Sequence, residues 1–157
     1  MTATTVLTLL GVVGTGVMAG VYVAFSVMVM PSLDRRPPQE AVAFMQETNR
    51  YAVRPAFQLA FSGTAVVAVV LVVLALVADD VSRGWLLTGS AAYLLTIVVT
   101  GGFHIPRNNA IDAVDAADAA ASDVAWTAYS RPWTLGNHAR ALLCVVALLA
   151  YVAALGV

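Results

Sequence analysis

WLLTGSAAYLLTIVVTGGFHIPRNN, Trp85 to Asn109, is the stretch whose reading decides the fold. Its apolar part, Trp85 to Ile105, is long enough to cross a hydrocarbon core of ~30 Å, which takes about 20 helical residues. It then runs straight into a histidine, a proline, an arginine and two asparagines. A membrane-length segment that ends in such a polar mouth sets the frame for the rest of the chain.

Three more segments have the same length and character: Val6 to Met30, Ala56 to Ala78 and Trp133 to Gly156. Lipid offers no water to backbone N–H and C=O groups, so each span is expected to be a helix, and the four together a transmembrane bundle. The expected architecture is therefore an all-α membrane protein, one domain over residues 1–157, with short amphipathic helices in loops one and three. Composition agrees. Hydrophobic residues make up 61% and charged residues 11% of the 157, and mean hydropathy is +0.85, against about 45–50% apolar and about 25% charged in soluble domains. A net charge of −1 and the lack of a basic run argue against nucleic acid as a partner. The single cysteine, Cys144, excludes an intramolecular disulfide. Thr5 to Met30 is uncharged and no Arg or Lys precedes it, so the first span reads as retained and not as a cleaved signal.

Working outward, Tyr93, Thr96, Thr100, His104 and Asn108 repeat at three- and four-residue spacing and are expected to share a face, loosened by Gly101-Gly102 and Pro106. Breaks of that kind are tolerated at membrane depth where protein or water satisfies the backbone, which implies a pocket beside His104. In the first span, expected to end at Pro31, Thr8, Gly11, Thr15, Tyr22 and Ser26 form a small, hydroxylated stripe beside a Gly16/Gly20 pair, a pattern that lets helices approach closely. Tyr22 and Ser26, nearest the polar end, are candidates for lining a cavity. Loop one offers Ala41, Phe44, Met45, Thr48 and Ala52 at helical spacing, an amphipathic helix lying on the membrane or capping the bundle. Its outer side carries Glu40, Glu47 and Arg50, and Arg54, Gln58 and Ser62 lead a polar stripe into the second span. The connection Asp79 to Gly84 reads as a plain turn. In loop three, Asn109 is an expected N-cap, Asp112, Asp115 and Asp118 read as a solvated face, and Ser122-Asp123 can cap a short helix bearing Trp126 and Tyr129. Pro132 suits the first turn of the last helix, on which Trp133, Asn137, Arg140 and Cys144 share one inward face. A buried guanidinium at Arg140 needs compensation.

Loops one and three fall on one side and, counting Arg140, hold seven of the eight arginines, with Arg83 alone opposite. The positive-inside rule places both loops in the cytoplasm and both termini outside; the expected location is a bacterial cell membrane.

The polar mouth thus collects His104, Arg107, Asn108, Asn109, Trp126, Tyr129, Arg131, Trp133, Asn137, His138 and Arg140, with Asn49, Arg50, Arg54 and Gln58 able to join from loop one and Tyr22 from the first span. Headgroup anchoring by arginines and an interfacial tryptophan belt would explain part of this set. Two histidines without a nearby third strong ligand make a poor metal site, and neither a nucleophile elbow nor a glycine-rich nucleotide fingerprint occurs. Acid–base chemistry assisted by cations remains: a histidine takes a proton from a carbon acid and arginine with asparagine stabilises the oxyanion.

An early span ending in proline, HIPRNN after the third span, and W-x6-W-x3-N-x2-R over Trp126, Trp133, Asn137 and Arg140 together resemble the small four-helix membrane family that includes the anthrone oxygenases, formerly a domain of unknown function. The likeness extends over nearly the whole chain. It implies oxidation of an anthrone-type aromatic polyketide to the quinone by O2 without a flavin or metal cofactor, with His104, Asn108, Asn109, Trp133, Asn137 and Arg140 at the matching positions. In the corresponding mechanism His104 or His138 removes a methylene proton, Arg140 and Asn137 stabilise the anion, and Asn108, Asn109, Arg107, Trp126, Trp133, Tyr22 and Gln58 contact a small lipophilic aromatic substrate drawn from the lipid bilayer. The alternative is a non-catalytic membrane subunit or lipophilic-ligand binder. The start of helix four is expected to meet the far end of helix three, so that the His104 imidazole and the Arg140 guanidinium face one hollow. A closed pocket holding His104, Asn137 and Arg140 favours catalysis, and side chains splayed to headgroups favour the alternative.

Overall fold

The computed structural model describes residues 2–78 and 82–156. Within them the chain forms α1 (Ala3–Leu33), α2 (Pro38–Ala52), α3 (Pro55–Val77), α4 (Arg83–Asp112) and α5 (Ala119–Ala154), and α1, α3, α4 and α5 are long and apolar enough to cross a membrane. The protein is an integral membrane protein, an all-helical bundle of four spans with α2 packed across one end. Residues 79–81, in the turn expected at Asp79 to Gly84, lie outside the described residues.

Helix starts follow the local chemistry. Thr2 Oγ1 accepts from the Thr5 N–H, Asp118 Oδ1 accepts from the Ala120 and Ala121 N–H groups, and Pro38 and Pro55 sit in first turns, where a missing N–H costs nothing. Valines and leucines such as Val13, Val66, Val98 and Leu142 stay exposed on the outer face, as a bilayer requires. Inside, α5 packs against α1 and α4, with α3 closing the bundle against both. Small residues permit this: Ala68, Ala75, Ala141 and Ala147 are buried at the crossings. The expected stripe on α1 is borne out, since Thr8, Gly11, Thr15, Tyr22 and Ser26 are all buried. The closest approach is not at Gly16/Gly20, however. A Cβ on Gly11 would meet the Tyr151 ring at 2.9 Å and one on Gly14 would collide with Thr64, whereas one on Gly20 would meet nothing within 4 Å.

Two departures from the sequence expectation shape the polar end. The first span does not stop at Pro31 and the third does not stop at Ile105; each passes through its proline by widening into a π turn just before it. In α1 the turn is Phe25–Val29, closed by the Met30 N–H on the Phe25 carbonyl. In α4 it is Thr100–His104, closed by the Ile105 N–H on the Thr100 carbonyl. A proline in an α-helix clashes with the carbonyl four residues back and withholds a donor; the wider turn relieves both. Asn109, expected as an N-cap, consequently lies within α4. The second departure is at α5, which begins at Ala119 under an Asp118 cap and carries Pro132 in its interior. The short helix expected to start at Ser122-Asp123 is the first part of this long one.

Between α1 and α3, α2 lies over the bundle end. Ala41, Val42 and Met45 are buried beneath it, while Phe44, expected on the same face, is 45% exposed. Glu40, Glu47 and Arg50 are exposed as expected, Glu47 at the edge next to the cavity described below. Gln46 Nε2 donates to the carbonyls of Ile111 (3.0 Å) and Val114 (2.8 Å), tying α2 to the end of α4.

Candidate functional site

The helices leave a cavity of about 710 Å³ under α2, lined from every span. Its inner end is built around Arg140, 6% exposed, and Asn137, 0% exposed. Asn137 Oδ1 accepts from Arg140 Nη2 at 2.6 Å, and Asn137 Nδ2 donates to the Tyr22 carbonyl at 2.7 Å and to Ser26 Oγ at 2.8 Å. The guanidinium has only donors, so it fixes which way the amide points. Arg140 Nη1 donates to Thr100 Oγ1 at 3.2 Å. The carbon of the guanidinium lies 4.4 Å from the centroid of the Tyr22 ring, a cation–π contact.

No carboxylate completes this arrangement. Among the described residues the one ion pair joins Arg36 and Glu40 on the surface. Arg140 is held by an amide, a hydroxyl and an aromatic face, all neutral, and its Nε has no hydrogen-bond partner among the described residues. The expectation that something compensates the guanidinium is met for its hydrogen bonds at Nη1 and Nη2 and unmet for its charge.

Around the inner end the walls are aromatic: Phe25, Phe57, Phe61 and Trp133 line the cavity. Trp133 belongs to a stack with Tyr129 and Trp126, ring centroids 6.1 and 5.9 Å apart. Asn108 Oδ1 holds that stack by accepting from Trp133 Nε1 and Tyr129 Oη, both at 3.0 Å. Toward the mouth, Gln58 Nε2 donates to the Ala52 carbonyl at 2.8 Å. Asn49 Nδ2 donates to Asp112 Oδ1 at 2.9 Å, and the exposed carboxylates of Asp112 and Glu47 form part of the rim.

Of the residues expected at this mouth, Tyr22, Asn49, Gln58, Asn108, Asn109, Trp133, Asn137 and Arg140 line the cavity. His104, Arg107, Trp126, Tyr129, Arg131 and His138 do not, nor do Arg50 and Arg54. The His104 imidazole is 1% exposed and sits edge-on behind Trp133, ring centroids 5.3 Å apart at 85°. Its nitrogens face the carbonyls of Trp133 (3.3 Å) and Val99 (3.5 Å). Helices α4 and α5 do meet, but imidazole and guanidinium do not share a hollow. The reason is the π turn. In an α-helix His104 falls beneath Thr100; in the wider turn Ile105 takes that place, and Thr100, Ile105, Asn108, Asn109 and Asp112 line the cavity. One residue added to a turn rotates the remainder of the helix by about 100°. His138 is exposed. Arg107 covers the Phe103 ring at 3.6 Å and donates to the Phe103 carbonyl. Trp126 Nε1 donates to Asp34 at 3.0 Å, a clip between the end of α1 and α5. Among the described residues no three His, Cys, Asp or Glu side chains gather as a metal ion would need.

Sequence reading missed Phe57 and Phe61 as walls, although their four-residue spacing beside Gln58 was the available signal, and it took Asp112 for a purely solvated residue. Asp115 and Asp118 do serve local backbone caps. Asp112 instead faces the cavity because the π turn has rotated α4.

No curated protein and no solved structure matches the chain. The sequence model of a family described as anthrone oxygenase matches residues 55–150. That match runs from the first turn of α3 almost to the end of α5, includes Asn108, Trp133, Asn137 and Arg140, and takes in well over half of the 157 residues. The chain belongs to the anthrone oxygenase family.

Proposed function

We propose that the protein oxidises a planar aromatic substrate of the anthrone type with O2, and that the cavity beneath α2 is where it does so. The observation that carries the proposal is the uncompensated Arg140 cation at the inner end of an aromatic-walled cavity of about 710 Å³. Such a volume suits a small organic ligand, and a buried cation without a carboxylate favours a ligand that brings negative charge.

An anthrone carries its carbonyl oxygen and its reactive methylene on opposite sides of the central ring. With the oxygen at Arg140 the methylene points to the mouth, where Asp112 stands. In the proposed sequence the Asp112 carboxylate takes a methylene proton and the electron pair delocalises onto the oxygen facing Arg140. The resulting anion reduces and combines with O2, forming a C–O bond and, after protonation, a hydroperoxide. Loss of the remaining hydrogen on that carbon with cleavage of the O–O bond releases water and leaves the second carbonyl. The balance is one anthrone and one O2 to one quinone and one water. Asn137 has both amide hydrogens engaged by Tyr22 and Ser26, so its role here is to aim Arg140 and not to touch the anion. The base role expected of His104 or His138 finds no support in the cavity lining.

The substrate is drawn from the bilayer, and loops one and three face the cytoplasm by the arginine count. The test is O2 uptake and quinone absorbance with the purified protein and an anthrone. Arg140→Met should lose about two orders of magnitude or more, the scale of a lost oxyanion donor, and Asp112→Asn about a hundredfold or more, the scale of a lost general base. A wild-type rate equal to the protein-free rate, or full activity in Arg140→Met, removes the proposal.

A further inference from the structure

Two polar side-chain atoms among the described residues are buried without a hydrogen-bond partner: Tyr22 Oη and Arg140 Nε. Natural proteins leave very few such atoms, so each one calls for an explanation. Here the two belong to different helices, α1 and α5, yet both residues line the same cavity and the guanidinium stacks on the phenol ring. Tyr22 is 3% exposed and Arg140 6%. Nη2 of the guanidinium is engaged by Asn137 and Nη1 by Thr100, which leaves Nε as its unpartnered nitrogen.

We infer that Tyr22 Oη and Arg140 Nε form a two-donor receptor for a single ligand oxygen bearing negative charge. Nε–H can only donate, so the shared partner must be an acceptor. The absence of a carboxylate beside Arg140 makes an anionic acceptor far better than a neutral one, and charge-assisted hydrogen bonds are roughly twice as strong as neutral ones. The aromatic walls restrict the ligand to a flat molecule with that oxygen on its edge. The site therefore distinguishes an ionised phenol or enol from its methyl ether, which keeps the shape and loses the charge. The inference rests on the proposed cavity but not on turnover, and it gives Tyr22, which lies outside the matched residues 55–150, direct contact with the ligand.

The experiment uses the full chain in detergent with 2-hydroxyanthraquinone, a flat phenol that this chemistry does not oxidise, and 2-methoxyanthraquinone. Binding is read from tryptophan fluorescence, and ionisation of the bound phenol from its visible band. The wild type should bind the phenolate at least about tenfold more tightly than the ether and shift the bound phenol toward its ionised band. Tyr22→Phe should weaken the phenolate by about tenfold to a hundredfold, the scale of one hydrogen bond to a charge, and leave the ether unchanged. Arg140→Met should abolish the band shift; if that variant does not fold, Tyr22→Phe, which keeps the ring, decides alone. Equal affinity for phenolate and ether, no binding of either, or a Tyr22→Phe variant that holds the phenolate like the wild type overturns the inference. Phenolate binding through Tyr22 without O2 uptake on an anthrone would keep this inference and sink the oxygenase proposal. Turnover with no phenolate preference would do the reverse.

Discussion

Asn137→Asp separates what the inner end of the cavity does for the fold from what it does for a ligand. The amide is fully buried and already accepts from Arg140 Nη2 at 2.6 Å. A carboxylate there keeps the size and the acceptor and adds the counter-charge that Arg140 lacks. It gives up the donation to the Tyr22 carbonyl, and Ser26 can turn its hydroxyl around to donate in compensation. The fold should therefore survive, with a denaturation midpoint close to that of the wild type. Function should not. A carboxylate about 5 Å from the ligand oxygen, at an effective dielectric of about 20, opposes an anion by ~3 kcal/mol, or about two orders of magnitude. Quinone formation and phenolate binding should fall together by that factor in a protein that still elutes as a folded species, and Asn137→Gln should not reproduce the paired pattern of intact stability with lost anion affinity. Turnover within about threefold of wild type in folded Asn137→Asp, less than 1 kcal/mol by the same conversion, would refute the reasoning that Arg140 works by its uncompensated charge.

Three further outcomes rest on the same contacts. His138→Ala, at an exposed position outside the cavity, should change turnover by less than about twofold and stability by less than about 0.5 kcal/mol; a large loss of turnover would restore a histidine to the chemistry. Asn108→Leu orphans Trp133 Nε1 and Tyr129 Oη and should cost about 2–4 kcal/mol of stability, seen as a lowered thermal midpoint in detergent with near-ultraviolet circular dichroism as a reporter of the aromatic stack. Gly136→Ala would bring a Cβ to 2.5 Å from the Phe103 ring and 2.9 Å from His104, an overpacking that should cost about 1–3 kcal/mol, whereas Gly101→Ala, with nothing within 4 Å, should be tolerated or stabilise by about 0.5–1 kcal/mol. Equal midpoints for the two glycine variants would contradict the packing described around His104.

Much of the architecture is legible in the sequence because lipid leaves so few options. Uncharged runs of membrane length have to become helices, and the buried faces can be read where α periodicity holds without interruption: Thr8, Gly11, Thr15, Tyr22 and Ser26 on α1, and Trp133, Asn137, Arg140 and Cys144 on α5. The seat of Arg140 among neutral partners is foreseeable in outline from the cost of burying a guanidinium. Helix boundaries are less legible, because a proline reads as a stop even where the chain has the option of a π turn in front of it.

By itself, then, the sequence determined that the chain is a four-span bundle with a polar inner end on α5, since those features depend on composition and on a fixed repeat of about 3.6 residues. Only the tertiary structure decided which side chains of α4 reach the cavity. The π turn at Thr100–His104 takes up an additional residue, and a shift of one position along a helix is about a quarter turn around it, so Ile105 and Asp112 face the hollow while His104 is folded behind Trp133.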